Sequence, residues 1–129
     1  MISVKYEINY CWWLLRLMFG ISFIGAGIDK FFNLATNWSD FITPAALDLT
    51  GVAAPLIMYF VCAIEISLGV LVLTKWAQIA SLLITVFMIS IGVYLLFSGI
   101  FLDTAFRYLS LGVSALVLFH LTRVRSRLD

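Results

Sequence analysis

LGVLVLTKWAQIASLLITVF, residues 68–87, is a pair of apolar runs interrupted once, at Thr74-Lys75-Trp76. So short a break lets the chain only turn and run straight back, so the flanking runs are expected to lie antiparallel. A hydrocarbon layer roughly 30 Å thick needs about 20 apolar residues per helix, and both runs extend to that length. Scanning outward for similar runs gives four candidate spans, at about 11–32, 53–74, 76–100 and 104–122. The short 100–104 connection forces the third and fourth spans antiparallel as well. The expected fold is an all-α membrane protein: one up-down antiparallel four-helix transmembrane bundle filling residues 1–129.

Composition agrees with the spans. Hydrophobic residues make up 64% of the 129 and charged residues 12%, with mean hydropathy +1.11, far from a soluble domain. The formal net charge of +1 gives no basic excess for nucleic acid. The lipid bilayer is therefore the partner that composition names. Lys5 ahead of an apolar stretch and the small residues Gly25-Ala26-Gly27 also fit an export signal, but the first span is expected to be retained.

Lys and Arg near the span ends set orientation. Lys5, Lys75, Arg123, Arg125 and Arg127 fall on one side, Lys30 and Arg107 on the other. Both termini and the 74–76 turn are thus expected in the cytoplasm, with the protein integral to a prokaryotic inner membrane. Tyr10, Trp12, Trp13, Trp38 and Trp76 lie near span ends, where amphipathic rings favour the headgroup layer. In the longer connection, NLATNWSDFITPAALDLTG (33–51), Thr43 reads as an N-cap, Pro44 as a first helical position and Gly51 as a stop. A short interfacial helix is expected there, with Pro55 in the first turn of the second span. Ala77, Ser81 and Thr85, and Ser110 and Ser114, are small residues expected at helix contacts.

Counting removes several chemistries. A single histidine, His120, cannot provide bis-histidine haem ligation in one chain, and beside Arg123 it reads as an interfacial residue. Cys11 and Cys62 form no CxxC pair, and their expected depths differ by roughly 18 Å, too far for a disulfide. No phosphate-binding loop, zinc-ligand spacing or nucleophile elbow occurs, so neither a catalytic set nor a metal site is expected.

Charges at membrane depth each need a reason, because a central Arg, Lys or Asp costs roughly 2.5–3.5 kcal/mol on the insertion scale. Arg16 lies about 7 Å into the first span and leans toward its N-terminus, so it can snorkel to the cytoplasm. Arg107 has Asp103 four residues before it, and Lys30 closes the first span where the helix dipole favours a cation. Glu65 has no such escape: it sits roughly 18 Å from one end of its span and 13 Å from the other. It needs a raised pKa, a partner or a polar cavity. By depth the nearest cation is Arg16, and an Arg16–Glu65 pair would act either as a structural clamp or as a functional group. Gly20, Phe23, Gly27 and Lys30 share a face with Arg16, and Gly69 lies one turn below Glu65, which leaves room beside the charges.

RLMFGISFIGAGIDKFFN (16–33), with Arg16, Gly20, Phe23, Gly27, Asp29 and Lys30, and AIEISLGVLVL (63–73), with Glu65 and Gly69, resemble the DoxX family of small four-span membrane proteins. The resemblance implies a redox-associated membrane component, since relatives serve thiosulfate and quinone chemistry or recruit soluble antioxidant and sulfur-transfer enzymes. Distant relatives of the wider superfamily act as receptor chaperones without chemistry of their own, so the family leaves the class of function open.

Two readings compete. In the first, an accessory subunit of a redox complex, more an aid than an independent enzyme, binds a quinone or lipid between the first two spans and holds no covalent cofactor. Arg16, Glu65, Gly20, Gly27 and Gly69 would contact that ligand, and Asp29, Lys30, Asp103 and Arg107 would form an outer polar rim. In the second, the protein is a scaffold or assembly chaperone for another membrane protein. Transport of a small solute or proton ranks third, because the uncharged third span supplies no polar path. Homo-oligomerisation is open at this stage.

Overall fold

The computed structural model describes residues 2–32, 42–51, 53–99 and 101–128. Among these residues five helices follow in order: α1 (Ile2–Phe32), α2 (Pro44–Thr50), α3 (Ala54–Val72), α4 (Ala77–Ser98) and α5 (Leu102–Leu128). Four of them, all but α2, are long and apolar enough to cross a membrane. They form the up-down four-helix bundle, with Ile2, Leu128 and the 73–76 turn at one end, here the termini end, and α2 and the α4–α5 connection at the other, the α2 end. Trp38, with the rest of 33–41, lies outside the described residues.

The outer helices run past the limits set by apolar composition. α1 begins nine residues before the expected start at 11, and α5 continues six beyond 122. Hydropathy finds where lipid contact ends, whereas a helix ends where its backbone bonding stops. The extensions hold each other: Trp12 Nε1 donates to Thr122 Oγ1 at 3.0 Å, and Arg125 Nε donates to Asn9 Oδ1 at 2.6 Å. α2 begins at Pro44 as the sequence suggests and closes at Gly51, whose φ of 67° is left-handed and whose N–H donates to Leu47 O at 2.9 Å. It is latched to α4, because Thr43 N–H donates to the Tyr94 hydroxyl at 2.8 Å and that hydroxyl donates to Thr43 Oγ1 at 3.1 Å.

Lipid gives helices little hydrophobic reason to associate, so close backbone approach through small residues does the work. Two pairs are tight, α1 with α3 and α4 with α5, while the α1–α5 and α3–α4 seams are sparser. On the α4–α5 seam Gly92 meets Leu109 and the Ala105 carbonyl, and Gly112 meets Ile89. Ala77 and Ser81 are buried as expected, but Ser110 is exposed: the small-residue stripe of α5 is Ala105, Gly112 and Ala115, one face away. Phe19, Phe23, Leu68, Val72, Ile84, Met88 and Leu118 fill the middle of the bundle.

Candidate functional site

The α1–α3 contact fixes how the charges meet. Gly27 lies against Ile66 and the Cys62 carbonyl, and Gly20 against Leu73, while a Cβ on Gly69 would fall 2.9 Å from the Gly20 carbonyl oxygen. The Cys62 thiol donates to Gly27 O at 2.9 Å across the same seam. In this register Glu65 faces α1 near residue 26, and Lys30 stands roughly 6 Å nearer the α2 end. Helical side chains lean toward their own N-terminus, which for α1 is the termini end and for α3 the α2 end. Lys30 and Glu65 therefore lean toward each other.

They meet as a buried ion pair. Lys30 Nζ is 3.0 Å from Glu65 Oε1 and donates to Oε2 at 3.1 Å, with the two residues only 4% and 1% exposed. The sequence-based partner for Glu65, Arg16, leans the other way. Arg16 reaches past the last turn of α3, where Nε donates to Val72 O at 2.8 Å and Nη2 to Thr74 O at 2.7 Å. Val72 is seven residues beyond Glu65, roughly 10 Å along the helix. Arg16 is also not snorkelled: it is 7% exposed, beneath Trp12 and Trp13 at 4.5 and 4.9 Å from the ring centres. A helix C-terminus presents carbonyls without intrahelical donors and a negative dipole end, and the guanidinium satisfies both. Arg16 is a cap for α3 and stands apart from the Glu65 site.

The anticipated ligand space between the first two spans is closed, since Leu73, Ile66 and Ile24 occupy the room beside Gly20, Gly27 and Gly69. A cleft of about 260 Å³ lies instead on the sparse α1–α5 seam. Met18, Ser22 and Ala26 of α1 face Thr104, Arg107, Tyr108 and Leu111 of α5, and Phe19, Phe23 and Met88 extend its apolar lining. Lys30 and Glu65 form its polar part. Tyr108 of α5 lines the same cleft as Lys30, and the half-buried Asp29 directly precedes Lys30 in α1. Ser22 and Leu111, on its two walls, are themselves exposed, so the cleft faces sideways toward lipid.

The expected outer rim is thus divided. Lys30 belongs to the buried pair. Asp103 and Arg107 stay at the periphery as an i,i+4 pair at 3.6 Å, 70% and 76% exposed. Sequence reasoning missed Tyr108 and the α5 wall, although Thr104, Tyr108 and Leu111 recur at helical spacing around Arg107. Their relevance depends on which helix α5 adjoins.

A DoxX family model matches residues 11–98, about two thirds of the chain. The chain belongs to the DoxX family. No curated protein and no solved structure matches it. The matched stretch of this DoxX protein carries Lys30 and Glu65 and ends before α5. One wall of its cleft, including Tyr108 and Arg107, therefore comes from the unmatched helix.

Proposed function

We propose that this DoxX protein is an accessory subunit of a membrane redox complex that binds a quinone-like or other lipid-soluble molecule in the α1–α5 cleft. The observation that carries the reading is that the buried Lys30–Glu65 pair lines a side-opening cleft. A buried ion pair is costly in lipid and is by default a functional feature there. The apolar lining suits a ring or tail, the pair and Tyr108 suit a polar head, and entry from the bilayer needs no aqueous path.

The basic residues at the termini end favour an orientation with both termini in the cytoplasm of a prokaryotic inner membrane. Labelling of the exposed Cys11 by an impermeant maleimide added outside intact cells would overturn that orientation.

The binding reading is tested on full-length protein purified in mild detergent, by solvent extraction and quantification of co-purified quinone and lipid. Ala26→Phe, which fills the cleft, is expected to lower the bound molecule several-fold, and Glu65→Gln to lower it as well. Unchanged recovery from both variants sinks the reading.

A further inference from the structure

The α1–α5 cleft is graded along its length. Lys30 stands near the α2 end of α1, and Thr104, Arg107 and Tyr108 stand near the start of α5, all within roughly 9 Å of that end of the bundle. Met18, Phe19 and Phe23 of α1, Met88 of α4 and Leu111 of α5 line it deeper, roughly 13–21 Å from the same end, with Ser22 the one hydroxyl among them. Polar at the surface and apolar toward the middle is also the order of a single lipid leaflet. A chain-bearing molecule with its head at the α2 end therefore lies in the cleft as the neighbouring lipids lie, and it enters sideways from among them.

Charge decides the head group. Glu65 is the only acid among the described residues that line the cleft, and both of its oxygens face Lys30 Nζ, at 3.0 and 3.1 Å. Those two charges cancel inside the wall. Arg107 remains at the mouth, 76% exposed, and its partner Asp103 lies outside the lining, 3.6 Å away and 70% exposed. An exposed i,i+4 pair holds its arginine weakly, so the guanidinium exchanges Asp103 for a ligand carboxylate at little cost and binds it with two parallel N–H groups. The hydroxyls of Thr104 and Tyr108 at the same end can donate to the same anion. A volume of about 260 Å³ holds roughly nine water-sized groups, enough for a carboxylate and the first part of one chain. We propose that the cleft holds a long-chain fatty acid carboxylate from the α2-end leaflet, its head on Arg107 and its chain running between α1 and α5 toward Met18. This rests on the binding reading above and adds to it the charge, orientation and leaflet of the ligand.

The test uses palmitate carrying a mid-chain diazirine, and the matching hexadecanol, at equal mole fraction in phosphatidylcholine nanodiscs that hold the full chain. The buffer is at about pH 9, so that the carboxyl is ionised. Peptide mass spectrometry maps the photolabelled residues. The palmitate probe is expected to label Met18, Ser22 or Leu111 above the lipid-exposed Phe60 and Val86. It is expected to label them about three- to fivefold more than the alcohol does, the difference an interfacial charge pair supports. Arg107→Gln should bring palmitate labelling down to that of the alcohol and leave the alcohol unchanged, and Arg107 is exposed enough that the fold does not depend on it. Equal cleft labelling by the two probes in the unaltered protein overturns the inference. Displacement of the palmitate probe by phosphatidylglycerol as readily as by palmitate overturns the fatty acid assignment in favour of an anionic phospholipid. Absence of cleft labelling by either probe overturns the inference alone, since the binding reading falls only with unchanged ligand recovery from Ala26→Phe and Glu65→Gln.

Discussion

Lys30 on α1 and Glu65 on α3 lie at different depths yet meet at 3.0 Å, because antiparallel helices tilt their side chains toward each other's level. Removing one partner leaves the other charge buried and uncompensated. Lys30→Met or Glu65→Leu alone is expected to cost roughly 3–5 kcal/mol, while the double replacement costs much less. Thermal unfolding of the purified variants in one detergent compares them; additive losses in the double variant would show that the pair is not coupled.

Arg16 is expected to matter for stability and not for the cleft. Replacing it with Met leaves the Val72 and Thr74 carbonyls without their donors and should cost about 2 kcal/mol. Arg16→Lys should recover only part of this, because one ammonium cannot reproduce the planar fork stacked beneath Trp12 and Trp13. Melting temperature and co-purified ligand are measured together. Loss of ligand at unchanged stability would place Arg16 back in the site.

The glycines divide by what surrounds them. A methyl on Gly69 meets backbone at the Gly20 carbonyl, which cannot rotate away, so Gly69→Ala is expected to destabilise by about 1–3 kcal/mol. Gly25 has nothing within 4 Å, so Gly25→Ala should be neutral or stabilising by up to about 1 kcal/mol through helix propensity. Unfolding curves that rank the two in the opposite order would refute the α1–α3 register.

Tyr94 is a local latch. Tyr94→Phe removes both hydrogen bonds to Thr43 and should speed amide exchange over Pro44–Thr50. Global stability should fall by no more than about 1 kcal/mol, since these bonds are exposed. Unchanged exchange in α2 would mean that other contacts hold it.

Much of the architecture was legible from residues 68–87 and their surroundings, because span length, turn length and the antiparallel order follow from bilayer thickness and chain connectivity alone. Pro44 and Gly51 likewise marked α2 through their own backbone constraints. Glu65 stood out as the charge without an escape, which required only its distance from either end of its helix.

Arg16 is the nearest cation to Glu65 only when depth is counted at the backbone, while the meeting point is set by side-chain tilt. Applying that tilt to Lys30 and Glu65, as it was to Arg16, would have favoured the pair the structure shows.

The amino-acid sequence by itself determined that the chain crosses the membrane four times and that Glu65 must find something polar inside it, since both follow from one-dimensional length and solvation cost. Only the tertiary structure decided that Leu73, Ile66 and Ile24 close the α1–α3 seam, and that α5 completes a cleft over Lys30 and Glu65. The neighbours of a helix face in lipid depend on close shape matching between helices, and spacing along a single helix does not encode it.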